Sequence, residues 1–345
     1  MGSEISVSLR DYDQPIEEAY RTLFPRDPDK LPALLKWRAL NNPHGRSRFA
    51  VASRGGEIVG MIALIPTRLR NAPGDALGYQ AVDTVVDPSC RGQGLFLRMG
   101  EAAQNQRALG GDVLWGFPNV QAAPGWYGRL GWTNFGAVPL LVRPLRSSFL
   151  FGRVHPKLGS IDFPLIGRHR SQAQVYDDGA ELGADFDALW HDVAIDFGIA
   201  VDRNGEWMRW RLANKPAAKY RCVGLKSDQG ELQAFVASKI ADKHGARLCY
   251  VMEAMSMPAS GKALGELLAA ELSRAADEGA EAALAWCPGT APNYRAYRAA
   301  GFLPFPARMR PIEINFGARA LTIDGAAAAA PDARWYVSFL DSDTN

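Results

Sequence analysis

Residues 86–100 read VDPSCRGQGLFLRMG. Ahead of them, Ala81 to Val86 has the composition of a strand; behind them, Leu95 to Leu109 has helical spacing, with Leu95, Met99, Ala102, Ala103 and Gln106 along one stripe. Between the two stand Asp87-Pro88 and the turn Arg91-Gly92-Gln93-Gly94. A glycine turn feeding a helix presents unpaired backbone N–H groups and the positive end of the helix dipole, a combination that favours a phosphate. Gly94 lets a pyrophosphate approach with no Cβ in the way. The same residues also make a tight strand-to-helix turn, so this stretch by itself leaves an anion cradle and a plain turn both open.

Outward from the turn, Phe49 to Ala52 and Ile58 to Pro66 form an expected hairpin around Arg54-Gly55-Gly56. Val113 to Phe117 is a further strand, Gly125 to Leu130 a short helix stopped by Gly131, and Trp132 to Val142 extended chain. The order then repeats. Trp37-Arg38-Ala39-Leu40-Asn41-Asn42-Pro43 returns as Trp210-Arg211-Leu212-Ala213-Asn214-Lys215-Pro216, and Tyr127-Gly128-Arg129-Leu130-Gly131-Trp132 returns as Tyr297-Arg298-Ala299-Ala300-Gly301-Phe302. Pro88 maps onto Pro258 and Pro118 onto Pro288. Four matches in one order indicate a duplicated unit. The second copy has strands at Cys222 to Leu225, Gln233 to Ile240, Leu248 to Ser256 and Ala282 to Cys287, with helices at Ala263 to Glu278 and Tyr294 to Ala299. The expected division is 1–145, a Gly-, Pro- and Arg-rich connector over 146–180, and 181–345. Ala326 to Ala330 reads as loop or short helix, and Arg334 to Leu340 as a last strand that docks onto a sheet.

Composition agrees with two units. The 345 residues suit two domains of about 150 to 170 residues each. With 39 basic and 37 acidic residues the net charge is +2, and no strong field invites nucleic acid or an anionic membrane. Five histidines are few for a metal enzyme, and Cys90, Cys222, Cys249 and Cys287 lie too far apart for a zinc site or a disulfide framework. The acidic N-terminus is unlike a signal peptide, and no apolar run reaches membrane-helix length; a cytoplasmic location is expected.

The stretch resembles the acyl-coenzyme A loop of the GNAT acyltransferase superfamily, whose pattern is [QR]xxGx[GA]. Arg91, Gly94 and the lead-in Val86-Asp87-Pro88 match it; Phe96 departs from the small last residue, which bears on helix packing near the phosphates. The resemblance implies an α/β (α+β) chain of two tandem GNAT-like domains, each a central mixed, mostly antiparallel sheet flanked by helices. It implies acetyl-CoA or another acyl-CoA as co-substrate, with no metal. It places the co-substrate on Thr84, Val85 and Val86 through the backbone, on Arg91, Gly92, Gln93, Gly94, Leu95 and Phe96 at the turn, and on Asn119 at the pantetheine arm. Tyr127, opening Tyr-x-x-Leu-Gly-Trp, is similar to the family tyrosine that protonates the departing thiolate, chemistry that needs a hydroxyl donor.

An amine attacks a thioester only when neutral, so a proton acceptor helps. Asp83 stands near where some relatives carry a catalytic acid, and its alternation with Val85 and Asp87 also allows it to face solvent or an arginine. Asp341-Ser342-Asp343 is a second option, reaching the site only if the last strand docks there. No serine or cysteine stands beside a histidine in a way that implies an acyl-enzyme, and Cys90 is the one thiol next to the loop. In the second copy Gly261, Lys262, Ala263 and Leu264 stand opposite Arg91 to Gly94, Gly289 replaces Asn119, and Glu253 stands opposite Asp83. Leucine where a pyrophosphate must approach marks a degenerate copy that completes the acceptor pocket. Trp37 and Trp210, being present in both copies, read as structure, each ending a helix against its own core, rather than as acceptor-stacking residues. The expected activity is N-acyl transfer, most simply acetyl, to a primary amine of a small molecule such as an amino sugar or sugar nucleotide, by direct attack in a ternary complex. A regulatory acyl-CoA-binding protein and an enzyme acting on a protein or peptide amine are the alternatives.

Overall fold

The computed structural model describes residues 4–25, 32–70, 75–154, 162–169, 173–176, 179–306, 310 and 313–342. The first half contributes strands β1 (Ile5–Asp11), β2 (Arg48–Arg54), β3 (Glu57–Arg70), β4 (Ala76–Val86), β5 (Val113–Gly116), β6 (Thr133–Ala137) and β7 (Leu140–Pro144). Its helices are α1 (Gln14–Leu23), α2 (Pro32–Leu40), α3 (Leu95–Ala103) and α4 (Gln106–Leu109). Next come helix α5 (Ser147–Val154), strand β8 (Gln174–Tyr176), helix α6 (Ala184–Val193), strand β9 (Ala200–Val201) and helix α7 (Gly205–Leu212). The remainder contains β10 (Arg221–Lys226), β11 (Leu232–Lys243), β12 (Ala246–Ser256), helix α8 (Gly261–Asp277), β13 (Ala282–Trp286), helix α9 (Tyr294–Ala299), β14 (Leu303–Pro304) and β15 (Asn315–Ala320).

Two mixed sheets result. One runs β1-β2-β3-β4-β5-β15-β6 with β9 beside β3; the other runs β14-β7-β13-β12-β11-β10-β8. Each has one parallel pair, β4 with β5 and β12 with β13, among antiparallel neighbours. The sheets exchange a strand: β15 enters the first between β5 and β6, and β7 enters the second between β13 and β14. The boundary at 145 is therefore not a boundary between sheets, since β7 lies before it and β15 far beyond 181. Part of the 146–180 connector is also structural, with β8 pairing β10 at the second sheet's edge.

Local chemistry accounts for the element ends. Gly55 and Gly56 take φ of 59° and 90° and turn the β2–β3 hairpin. The Asp13 carboxylate accepts the Ile16 N–H at 3.0 Å to start α1. The expected helix Leu95 to Leu109 is instead two, because Asn105 turns to an extended ψ of 93° and caps α4 afresh. The expected last strand is absent: Trp335 alone bridges to Ile199, and Ser338 caps a 3-10 turn over Phe339–Asp341. The docking itself occurs, with Trp335, Tyr336, Val337, Phe339 and Leu340 all buried. The alanine run is a 3-10 turn over Ala326–Ala329.

α3 packs Leu95, Met99 and Ala103 against Ala50, Val59 and Leu64 on one face of the first sheet, while Ile16, Tyr20 and Leu35 of α1 and α2 cover Val51 and Met61 on the other. α8 does the same for the second sheet with Leu264, Leu268 and Leu272. A third core is common to both halves and holds Trp115, Trp190, Trp207, Trp286 and Trp335. At its centre Trp37 and Trp210 stack on each other, ring centroids 4.5 Å apart at 15°. Each indole N–H donates to the other residue's carbonyl, at 3.0 and 3.3 Å. The pair is structural, as the repeat suggested, yet both rings lie in the one core common to the two halves rather than each in a separate core of its own. A shared contact of duplicated residues is what a two-fold arrangement of the halves produces.

Near this seam His44 is buried and stacks on Trp207, its Nδ1 accepting the Arg68 N–H at 3.1 Å. Burial, with Arg68 adding to it, pushes its pKa down to about 3. Between that value and about 6.5 the unfolded chain binds the proton and the folded chain does not, so stability is present above pH 6.5 and falls as pH falls through this window. Chemical denaturation is expected to show the loss approaching about 1.4 kcal/mol per pH unit as pH falls below 6, and His44→Gln to flatten the slope.

Candidate functional site

β5 pairs with β4 only from Gly78–Val113 to Ala81–Gly116 and then ends, while β4 runs on to Val86. At that point β4 carries a bulge: Met61 pairs with Val85 and Ala63 with Val82, so Asp83 and Thr84 face Ile62 alone. Asp83 takes φ of 51°, a left-handed conformation uncommon for a residue with a Cβ. The simple alternation of Asp83, Val85 and Asp87 on one face is broken by this bulge. The two strands splay around a cavity of about 260 Å³. Ala81, Val82, Asp83 and Thr84 line one side and Gly116, Phe117, Pro118 and Asn119 the other; Ala122, Trp126 and Trp132 complete it.

The glycine turn follows directly. The Asp87 carboxylate accepts the Ser89 backbone N–H at 2.8 Å and its hydroxyl at 2.5 Å, which lowers the Asp87 pKa. Gly92 and Gly94 take φ of 77° and 70°, and a Cβ at either would meet nothing within 4 Å. Glycine is needed there for conformation, and the space in front of the turn is open. Gly94 caps α3 and offers no side chain to the first-turn amides. The Arg91 guanidinium donates to the Val86 carbonyl at 3.3 Å. Phe96 points away from this opening: its ring lies edge-on to Trp126 at 5.3 Å, and a Cβ on Gly125 would strike it. The departure from the family pattern thus serves packing between α3 and the turn at Pro124–Arg129, a π-helix. The Cys90 thiol is wholly buried in the core beneath the loop.

Of the residues singled out in the sequence, Asp83, Thr84 and Asn119 meet at the cavity, and Arg91 to Gly94 lie just beyond it along the chain. Asn119 accepts the Ala122 N–H at 2.9 Å. Tyr127 is not among the lining residues; its ring packs on β15, where a Cβ at Gly317 would meet it at 2.5 Å. Its hydroxyl is buried without a partner, and burial pushes its pKa up to about 12. Asp83 forms an ion pair with Arg38 and accepts the Tyr20 hydroxyl at 2.8 Å. Burial, then the Asp83 charge, keeps the Tyr20 hydroxyl protonated.

Arg38 also lines a second, smaller cavity of about 30 Å³ at the seam between the halves, walled by Trp37, Trp115, Trp207 and Trp210. Gln80, Arg211 and Asp341 bring polar groups to it. The Arg38–Asp83 pair therefore has one partner on each cavity. Gln80 donates to the Asp341 backbone carbonyl at 2.7 Å, and Arg211 to that of Leu340 at 2.7 Å. The Asp341 carboxylate is bound through Oδ2 to Arg203 at 2.6 Å and to the Ser338 N–H at 2.8 Å, while Oδ1 has no partner. Burial raises its pKa despite Arg203. Asp343 lies outside the described residues. Sequence reasoning missed Arg38, Trp126 and Gln80. Arg38 had a signal, its place inside the repeated Trp-Arg motif.

The second half differs where the turn should be. Counting across the repeat, α8 would start at Gly265, yet it begins at Gly261, whose φ is −59°. The residues opposite Arg91 to Gly94 have become a helical turn. A cleft of about 520 Å³ remains beside Met257, Leu264 and Ala296, with no glycine turn at its end. Glu253, opposite Asp83, is fully buried and paired with Arg203 at 2.6 Å. Among the described residues no cluster of His, Cys, Asp and Glu could hold a metal ion, and no helix is long and apolar enough to cross a membrane.

Residues 11–135 match the acetyltransferase (GNAT) domain. Among solved structures, a GCN5-related N-acetyltransferase from Anabaena variabilis superposes with a TM-score of 0.65 at 11% identity, over 94% of this chain and 75% of that one. A probable N-acyltransferase of unknown function from Enterococcus faecalis gives 0.63 at 13%, over 95% and 75%. Saccharomyces cerevisiae N-myristoyltransferase with bound myristoyl-CoA gives 0.58 at 11%, over 91% and 78%. No curated protein matches the sequence. The splayed strands, the bulge and the glycine turn all fall within residues 11–135, the part of the chain that matches the acetyltransferase (GNAT) domain, and the fold of the chain is similar to that of these solved acyltransferases.

Proposed function

We propose that the protein transfers an acyl group, most simply acetyl, from acyl-CoA to a primary amine of a small polar acceptor by direct attack in a ternary complex. The observation that carries this reading is the wedge between β4 and β5, opened by the bulge at Asp83 and Thr84 and leading to the glycine turn. Residues 1–145 hold the chemistry, and 181–345 form a degenerate copy whose C-terminal segment completes the acceptor side. Acyl-CoA supplies the activated thioester. Thr84, Val85 and Val86 present main-chain groups to the pantetheine arm, with Asn119 across the cavity. Arg91, Gly92, Gln93, Gly94 and the first turn of α3, Leu95 and Phe96, take the pyrophosphate through backbone amides.

Tyr127 is the proton donor to the leaving sulfur: its hydroxyl is held neutral by burial and is bonded to nothing in the described structure. Asp83, paired with Arg38 and bonded by the Tyr20 hydroxyl, fixes the bulge rather than taking the proton. The better proton acceptor is Asp341, whose raised pKa and unpartnered Oδ1 face the seam between the halves. The seam pocket of about 30 Å³, walled by tryptophan, has room for an amino group alone, and Arg38, Gln80 and Asp341 bring the polar groups that would meet it; the acceptor we propose is a small polar amine such as an amino sugar.

Calorimetry of acetyl-CoA against the full chain, followed by thiol-release assays over a panel of amino sugars and linear diamines, tests the proposal. One site per chain and amine-dependent release are expected. Binding with no release for any amine would leave an acyl-CoA-binding regulator, and no binding at all would remove the reading.

A further inference from the structure

Of the four described non-glycine residues at positive φ, Asp83 alone lies inside a strand; Asp75, Ala217 and His244 stand outside strands and helices. A residue with a Cβ is costly in this conformation and persists in it only where its surroundings over-determine it. At Asp83 two side chains do so. The Arg38 guanidinium on α2 and the Tyr20 hydroxyl on α1 both bind carboxylate Oδ2, the hydroxyl at 2.8 Å. The Asp83 side chain is 2% exposed, and Arg38 is itself buried, with its carbonyl accepting the Ser47 hydroxyl at 3.1 Å. The carboxylate is thus clamped from the helices while the main chain of residues 81–84 lines the wedge.

The repeat supplies an internal control. Arg211 stands at the place of Arg38 and Glu253 at that of Asp83, but Arg211 donates to the Leu340 and Ser342 carbonyls and Glu253 is paired with Arg203. β12 has its own bulge at Met252, yet neither Met252 nor Glu253 takes a positive φ. That half also lacks the glycine turn. The left-handed aspartate and the arginine that clamps it therefore occur together, in the half with the cradle.

We infer that Arg38 is a positioning residue for acyl-CoA: through Asp83 it holds β4 in the left-handed bulge and so aims the main-chain groups of Thr84 to Val86 at the pantetheine arm. The inference rests on the acyl-CoA reading and adds to it the side chain that keeps the wedge in its binding shape. Arg38 needs no contact with the ligand for this, because its effect passes through the backbone. The same guanidinium lines the seam pocket, so a side chain of the acceptor side fixes the main chain of the co-substrate side. Without the clamp, the extended conformation competes, and apparent affinity falls by the fraction of chains that leave the bulge.

Calorimetry with acetyl-CoA, and with the CoA nucleotide fragment that lacks the pantetheine arm, tests this. Arg38→Met is expected to weaken acetyl-CoA binding about five- to thirtyfold, the factor that corresponds to the cost of a left-handed residue with a Cβ. Binding of the nucleotide fragment should be unchanged, since the glycine turn is untouched. That variant also leaves a buried carboxylate unpaired, so two double variants make the decisive comparison. Arg38→Met with Asp83→Gly removes both charges and supplies a residue that takes φ of 51° freely. Arg38→Met with Asp83→Ala removes the same charges and does not. The glycine double should bind acetyl-CoA close to wild type and the alanine double about five- to thirtyfold more weakly, with the fragment bound alike by both. Equal acetyl-CoA affinity of the two doubles would overturn the inference. So would a loss shared by the nucleotide fragment, the pattern of a fold loosened in general. Failure of the wild type to bind acetyl-CoA would overturn the acyl-CoA reading itself, and the wild-type titration tells the two failures apart.

Discussion

Gly94→Leu is expected to lower affinity for acetyl-CoA by about 10²- to 10⁴-fold, with the fold retained. Two effects add. Leucine at φ of 70° is strained by about 1–2 kcal/mol, so the turn relaxes and its amides leave their present directions. The new side chain also projects into the open space before α3, where nothing lies within 4 Å of a Cβ. Each charge-assisted hydrogen bond lost to a phosphate is worth about 1.5–3 kcal/mol, and two such losses give the range stated. Because that space is empty of protein, the side chain clashes with ligand alone, and the circular dichroism spectrum should be that of the wild type. Calorimetry with acetyl-CoA at matched salt makes the measurement. Wild-type affinity in the variant would mean that the turn holds no anion. The reverse change, Leu264→Gly in the second half, is expected to create no site, since residues 261–264 are already helical and their amides point along α8.

These two positions also show where sequence reading succeeds. The glycine turn, the Tyr-x-x-Leu-Gly-Trp segment and the degenerate second loop are local, and a glycine at positive φ or a stripe of apolar residues leaves its mark within a few positions. The bulge at Asp83 leaves none, because an aspartate in a left-handed conformation looks like any other strand residue. Arg38 reaches Asp83 from 45 positions away. The exchange of β7 and β15 is hidden for the same reason: β7 falls in the extended chain expected from Trp132 to Val142, the sequence offers no strand signal at Asn315–Ala320, and only the three-dimensional pairing reveals which sheet each joins. Arg203 had no sequence signal at all. It stands in an ordinary Val-Asp-Arg-Asn turn, and its significance comes from two carboxylates that lie 50 and 138 residues further along the chain.

Arg203→Met is accordingly expected to cost about 3–5 kcal/mol of stability, more than any surface change. The guanidinium is fully buried and donates to Glu253 at 2.6 Å, Asp341 at 2.6 Å, Ser338 at 3.3 Å and the Val201 carbonyl at 2.9 Å. Burial alone would weaken its charge, but Asp341 and Glu253 together hold it protonated. Without it, two buried carboxylates share one site with no cation, and one must take up a proton. The direction of the pH response follows from that. A carboxyl whose folded pKa is raised above its unfolded value loses stability as pH rises through the folded value, so from pH 7 down to about 5 the carboxyl of the variant offsets the loss that His44 causes in both proteins. The wild type should therefore lose stability more steeply than the variant over this window. Urea titrations at several pH values distinguish the two slopes. Parallel slopes would show that Glu253 and Asp341 are not coupled through Arg203. Replacing all three charges, with Glu253→Gln and Asp341→Asn added, should recover most of the loss, because uncharged groups no longer need the cation. The same triple change should abolish amine-dependent turnover while leaving acetyl-CoA binding intact, since it removes the proposed proton acceptor Asp341 and touches no residue of the wedge. Recovered stability with lost turnover would then separate the structural role of the buried network from the chemical role proposed for Asp341.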